Sequence, residues 1–298
     1  MTIDIVMPLY GGLEQFQAAV RSVQAQTSPD WRLVVIDDHM PDPAPSAWLA
    51  TVDDPRIEFF RNDQNLGVNG NFSRSLREVQ SSHFVLMGCD DVMLPRYVER
   101  MARYIAAHPH VAYIQCDVQV IDDLGDRVSP IADRVKEFYR PSIDAEVTMS
   151  GEELAVSLLR GNWTYFPSIC WQTDAVRAHG FRTGLEIVLD LDLQLAIVGE
   201  GGALLVVPDL LFAYRRHSLS YSYRTATDGT RFLEERALFE NAAETMAAKG
   251  WNHAARVARL HLSSRLNAAT RIPAAVTSDR KSLGLLLSHT FGPSRARG

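Results

Sequence analysis

FVLMGCDDVMLP, residues 84–95, runs from four apolar residues, Phe84 to Met87, through Gly88-Cys89 into the acidic pair Asp90-Asp91. A short apolar run closed by turn residues is the pattern of a strand buried on both faces, as in a parallel sheet covered by helices. The pattern recurs upstream. Leu33 to Ile36 ends in Asp37-Asp38 within VVIDDHMPD (34–42), and Ile3 to Met7 ends at Pro8 within MPLYGG (7–12). Between these two runs Leu13, Phe16, Val20 and Val23 step by three and four residues, which predicts an amphipathic helix over Leu13 to Gln26. A strand over Ile57 to Phe60, a turn-rich stretch from Arg61 to Asn71 and a helix reaching about Val79 continue the alternation, the sequence sign of βαβ crossovers. In open sheets of this kind ligands bind beyond the carboxyl ends of the strands. Pro8 to Gly11, Asp37-Asp38 and Asp90-Asp91 are therefore expected at one sheet edge.

A lone Asp-Asp is commonly only a turn, because aspartate accepts hydrogen bonds from nearby backbone N–H groups. Two such pairs after two apolar strands gather four carboxylates, whose repulsion a ligand, metal or cation must offset. The chain beyond is less regular. Val111 to Val120 reads as a strand, and Asp122 to Asp126 as a polar turn before a stretch without clear pattern to Ser150. Gly151 to Arg160 is helical, with Ser150 and Glu153 as a capping box. After Arg224 the chain is helical and alanine-rich. Phe232, Phe239, Ala243 and Met246 share a face, Gly250 is a stop signal, and a second helix is expected from His253 to about Thr270. Residues 271–298 carry five basic side chains against one acidic, and their simplest role is to cover the core.

Composition narrows the partners. At 298 residues with 46% hydrophobic and 22% charged side chains, the chain is an ordinary globular sequence, long enough for two domains or one large α/β unit. A net charge of −6 gives no positive field for nucleic acid. Cys89, Cys116 and Cys170 are widely spaced, offering neither a disulfide framework nor a metal knuckle, so a cytoplasmic setting is expected. No stretch has the ~18 apolar residues of a membrane span.

Six segments, taken in order, resemble the inverting glycosyltransferases of family 2, which have the GT-A fold. They are MPLYGG (7–12), VVIDDHMPD (34–42), NDQNLGVNGNFSRSL (62–76), FVLMGCDDVMLP (84–95), LDLDLQLA (189–196) and YRRHSLS (214–220). The resemblance implies an α/β GT-A domain over 1–223, Rossmann-like, with a mixed, mostly parallel sheet and helices on both faces. Its nucleotide-sugar half runs to about residue 110 and its acceptor half over 111–223, with a helical extension over 224–298. It also implies a nucleoside-diphosphate sugar, of uridine or thymidine, as donor. Pro8, Tyr10 and Asp38 would hold base and ribose, with Asn65 and Gly67 as a wall of that pocket. Arg74 would meet phosphate or stand as a solvated helix charge.

Asp90-Asp91 takes the place of the family's Asp-x-Asp motif, with Gly88 where the first aspartate often stands. Mn²⁺ or Mg²⁺ would bridge carboxylate and diphosphate, Asp91 being the ligand and Asp90 serving ribose or metal. Cys89 reads as a packing residue. Inversion needs a base on the acceptor side, and Asp190 matches that place, Asp192 pointing elsewhere. His217 is a candidate for metal or diphosphate, Arg215 and Arg216 for diphosphate or a lid, and Trp163 and Tyr165 for the acceptor. A hydroxyl-bearing acceptor is the second substrate, and the C-terminal helices are the candidate face for a second copy. Two other classes share the nucleotide pocket. A sugar nucleotidyltransferase normally has a basic glycine-rich loop after strand one, which Met7 to Gly12 lacks, and a non-catalytic binding module would bind donor without turnover.

Overall fold

The computed structural model describes residues 1–142, 144–216, 230–278 and 280–292. At its centre β1 (Ile3–Leu9) pairs in parallel with β2 (Trp31–Asp37) on one side and β4 (His83–Leu86) on the other, and β3 (Ile57–Arg61) extends the parallel set beyond β2. Past β4 the direction changes. β8 (Ile169–Gln172) is antiparallel to both β4 and β6 (Tyr113–Ile121), while β6 and the long β9 (Leu204–Arg215) run parallel. β5 (Val92–Met93) and β7 (Val147–Met149) pair antiparallel with opposite ends of β9. Among the described residues these strands form one nine-stranded sheet, and its longest ladders are parallel, as expected.

Alternation along β1 sets the two cores, since successive side chains of a strand face opposite ways. Ile3, Ile5, Met7 and Leu9 lie under α1 (Leu13–Gln24), α2 (Ala44–Leu49) and α4 (Tyr97–Ala107). Val6 faces the other side, beneath α6 (Gly151–Arg160) and α8 (Leu189–Gly199). The C-terminal helices α9 (Thr230–Ala248) and α10 (Asn252–Leu260) join this second core through Phe239, Ala243, Met246 and Ala255. α11 (Leu262–Ser278) and α12 (Arg280–Phe291) close a smaller cluster around Phe232, Ala268 and Leu286.

Three local expectations are corrected. The single helix expected from His253 breaks at His261, whose φ of 30° is left-handed and ends α10. Ser150 stands at the N-cap of α6, but its side chain makes no capping bond, and Gly151 turns the chain at φ 59°. Glu152 instead accepts the backbone N–H groups of His253 and Ala254 (2.7 and 3.1 Å), placing a negative charge at the start of α10. The stretch read as patternless before Ser150 contains α5 (Ile131–Tyr139), whose Ile131, Val135 and Phe138 step by four and three residues and form an exposed apolar stripe.

One buried ion pair ties β1 to its neighbours. Asp4 accepts both arms of Arg32 from β2 (3.1 and 2.8 Å), and also the N–H groups of Gln80 and Ser81 at the turn before β4 (2.6 and 3.0 Å). Burial acts to raise its carboxyl pKa, but Arg32 and the two N–H groups outweigh it and hold the group below its ordinary value. Asp4→Ala is expected to cost about 2–3 kcal/mol in urea unfolding, because the Gln80 and Ser81 N–H groups lose their acceptor while Arg32 keeps Glu58 and the Glu78 carbonyl. In the wild type this contribution is complete above about pH 4 and is lost as acid titrates Asp4 through its depressed folded value.

Candidate active site

The carboxyl end of β2 shows why two adjacent aspartates differ. Asp37 is consumed locally: one oxygen accepts the Met40 N–H and the other the Arg61 guanidinium, both at 2.8 Å. Asp38 places both its hydrogen bonds on Oδ1, from the Asn62 amide and from the Leu66 N–H (2.8 Å each), and among the described residues Oδ2 takes none. Asn62 is itself held by Asn71 (3.1 Å). The Leu66 contact fixes Asp38 at the start of α3 (Gly67–Glu78), where Asn65 Oδ1 accepts the Gly67 N–H at 2.9 Å and Gly67 adopts φ 72°. A side chain at Gly67 would be strained in this turn. His39, directly after Asp38, is a non-glycine residue at φ 54°, with its ring on the Asn62 carbonyl. Tyr10 is 58% exposed at the end of β1, and Pro8 lies in register with Ile36.

Beyond β4 the chain curls so tightly that a Cβ on Gly88 would lie 2.5 Å from Asp91 Oδ2 and 2.8 Å from Asp90 Oδ1. That crowding explains the glycine: an aspartate at 88 would displace both following carboxylates. Asp91 is 1% exposed; its Oδ1 accepts the Arg215 N–H at 2.8 Å, while its buried Oδ2 has no hydrogen-bond partner among the described residues. Burial first, and the charge of Asp90 second, push its carboxyl well above the usual range. The Cys89 thiol is pushed up to about 12 by burial and by Asp90, and it packs under Gly11, so it is inert filler between the two loops. An orphaned carboxylate oxygen beside a second carboxylate suits a hard dication bound through oxygen. Among the described residues no set of three histidine, cysteine or acidic side chains could hold a metal alone, so a phosphate ligand would have to complete the shell.

The third acidic position is built from the far side of the sheet. Because β8 runs antiparallel to β4, the chain entering it, Asn162 to Ser168, passes the same edge as Asp90-Asp91. Asp190 sits in the first turn of α8, where Val188 is the N-cap. The Asn162 amide donates to its Oδ2 and the Leu191 N–H to its Oδ1, each at 2.7 Å. α5 bridges the two acidic regions. Asp133 takes a bidentate bond from Arg216 (2.5 and 2.9 Å) and a bond from the Tyr165 hydroxyl (2.9 Å), while Lys136 donates to the Thr164 carbonyl at 2.6 Å. Lys136 lies within electrostatic range of Asp190, and burial together with Arg216 lowers its pKa to about 8.

Several assignments change. Arg74 lies seven residues into α3, about 10 Å from the helix start, and pairs with Glu78 one turn further on, which directs it away from the sheet edge. Trp163 is 1% exposed and its indole N–H bonds Ser157, so it belongs to the core and offers no face to an acceptor. Tyr165 remains half-buried between Tyr214 and Lys136. Arg215 is spent on carbonyls of Asp90 and Asp122 (2.7 and 2.5 Å), strapping the acidic loop to the end of β9. Asp192 pairs with Arg182 at 2.6 Å, apart from Asp190. His217 lies outside the described residues. Asn62 and Asn71 read from sequence only as turn chemistry, because asparagine is common in polar loops; contacts across the fold mark them, as the Asp190 contact marks Asn162 within the segment expected at the acceptor site.

Residues 4–152, half of the 298-residue chain, match the family described as Glycosyl transferase family 2. EpsE of Bacillus subtilis, provisionally named a glycosyltransferase, is 24% identical over 242 residues, which are 75% of this chain and 79% of EpsE. Among solved structures, S. aureus TarS 1-349 in complex with UDP-GlcNAc superposes with a TM-score of 0.72 at 12% identity, covering 97% of this chain and 79% of that one. The mannosyltransferase PcManGT of Pyrobaculum calidifontis, in complex with GDP-Man and Mn²⁺, gives 0.63 at 16% identity, covering 96% and 78%. At such identities the superpositions speak for the fold, and the sequence match speaks for the family: this chain belongs to glycosyltransferase family 2 and has its GT-A fold.

Proposed function

We propose that this glycosyltransferase moves a sugar, with inversion, from a uridine or thymidine diphosphate sugar to an acceptor hydroxyl. The observation that carries the reading is the buried Oδ2 of Asp91, without a hydrogen-bond partner among the described residues, beside Asp90 beyond the carboxyl end of β4. Asp38 Oδ2 would accept the pyrimidine N3–H, with Tyr10, Pro8, Asn65 and Gly67 around base and ribose. Asp91, with Asp90 on ribose or metal, would hold Mn²⁺ or Mg²⁺; such an ion neutralises the charge that grows on a departing diphosphate. His217 is the candidate further ligand. Asp190 would take the proton of the acceptor hydroxyl as that oxygen bonds to the anomeric carbon, while the carbon–phosphate-oxygen bond breaks and its electron pair leaves with the diphosphate. Tyr165 is the remaining aromatic candidate for the acceptor.

Residues 1–223 would form the transferase unit and 224–298 a helical layer upon it, with exposed Leu262, Leu266 and Phe291 as the face for a second copy. Glu234 of α9 reaches into the unit, accepting the N–H groups of Glu186 and Ile187 just ahead of Asp190 (3.0 and 2.9 Å). Among the described residues no helix is long and apolar enough to cross a membrane, and the three cysteines are buried free thiols, which supports a reducing cytoplasmic setting.

A thermal-shift panel of uridine, thymidine and guanosine diphosphate sugars with Mn²⁺ or EDTA tests the donor assignment. Binding to the native state alone at 100 times Kd adds about 2.7 kcal/mol of apparent stability. A metal-dependent shift with the pyrimidine nucleotides is expected. Pyrophosphate release from a nucleoside triphosphate and a sugar phosphate would overturn the reading in favour of nucleotidyl transfer.

A further inference from the structure

Helix α8 is apolar along its buried length, with Leu191, Leu193, Leu195, Ile197 and Val198, yet Gln194 in their midst is 0% exposed. Among the described residues its buried Oε1 has no partner, a state that costs about 1–3 kcal/mol and that leucine would avoid. Its Nε2 explains the choice. It donates to the Asp190 backbone carbonyl at 3.2 Å and to Thr164 Oγ1 at 3.1 Å. A carbonyl can only accept, so the Gln194 amide has one orientation. Thr164 Oγ1 receives that donor and must turn its own hydrogen elsewhere, onto Asn162 Oδ1 at 3.0 Å. The Asn162 amide is thereby oriented with its NH₂ on Asp190 Oδ2 at 2.7 Å.

We infer that Gln194, Thr164 and Asn162 form a one-way chain of donors, anchored on α8, that holds the Asp190 carboxylate in a single rotamer with one fixed donor on Oδ2. All three are positioning residues. The inference rests on Asp190 being the base. It adds that the polarity of a base is imposed from a glutamine one helical turn away, which touches no substrate. The Leu191 N–H secures Oδ1 independently, so losing the chain frees one oxygen of two and loosens the base without abolishing it. The charged groups that face this arrangement are Lys136 of α5, with Arg216 and Asp133 behind it, and they are untouched by changes at 164 or 194.

The experiment follows nucleoside diphosphate release from the pyrimidine donor that the wild type turns over fastest, with water as acceptor. Thr164→Val keeps shape but has no hydroxyl. It is expected to lower kcat roughly 10-fold or more while leaving the donor KM near its wild-type value, because the carboxylate is no longer held in one rotamer. Thr164→Ser restores the hydroxyl and most of the lost kcat. Gln194→Glu, which accepts where glutamine donates, reverses the chain and lowers kcat in the same way. Gln194→Leu keeps the fold testable should a buried glutamate prevent folding, and is expected to lower kcat in the same direction. Unchanged kcat in folded Thr164→Val and Gln194→Leu would overturn the inference. If Asp190→Asn is also fully active, the base assignment itself has failed; if Asp190→Asn is inactive, only the donor chain has.

Discussion

Asp190→Asn is expected to lower kcat for donor turnover by about 10²–10⁴, the usual contribution of a positioned general base, with donor affinity nearly unchanged. Asparagine preserves the shape and can still accept from the Leu191 N–H at Oδ1, so the packing of α8 is kept, while its NH₂ meets the Asn162 amide donor to donor and that one contact is lost. The capacity to accept the hydroxyl proton goes. Steady-state kinetics alongside calorimetric donor binding separate the two. A parallel loss of binding would mean that the residue shapes the donor pocket, and full activity would remove Asp190 from the mechanism.

Asp91→Asn is expected to act at the other end of the site and in two opposite senses. Donor affinity in Mn²⁺ falls by about 100-fold to the level seen in EDTA, since the residue that would hold the ion has lost its charge. Meanwhile the metal-free protein gains about 1 kcal/mol, or roughly 2–4 °C in Tm, because a buried carboxylate crowded by Asp90 becomes neutral. The sign follows from proton linkage. A carboxyl whose folded value is raised binds more protons in the folded state than in the unfolded one, so metal-free wild-type stability falls as pH rises above the ordinary carboxylate range. The variant loses that dependence. A less stable variant, or one with undiminished Mn²⁺-dependent affinity, contradicts the assignment.

Much of this architecture is legible in the chain because the decisive strands are fully apolar and end abruptly in acid. Phe84 to Met87 and Leu33 to Ile36 are short and closed at once by turn residues, which favours a buried strand over a helix, so the sheet and its acidic edge follow. The roles of neighbouring acids do not. Asp37 and Asp38 are equivalent by local pattern, and what separates them is Arg61 and Asn62, brought alongside by β3 and its following loop. Asp190 and Asp192 are likewise told apart by Asn162 and Arg182. Arg74 is a different case: its partner Glu78 stands four residues on, the spacing of helix ion pairs, so the signal was present in the sequence. Trp163 defeats a sequence reading because an aromatic run at a site alternates between core and cleft, and only the packing of α6 shows which residues go inward.

The central claim is single displacement at the anomeric carbon by an oxygen nucleophile deprotonated at Asp190. Its most direct test needs no knowledge of the acceptor: proton NMR of the sugar first released when the enzyme hydrolyses an α-configured nucleotide sugar in Mn²⁺, recorded before mutarotation. The β anomer is expected at the earliest time points, and its disappearance is expected in Asp190→Asn. Release of the α anomer, or the same rate from both proteins, would contradict it.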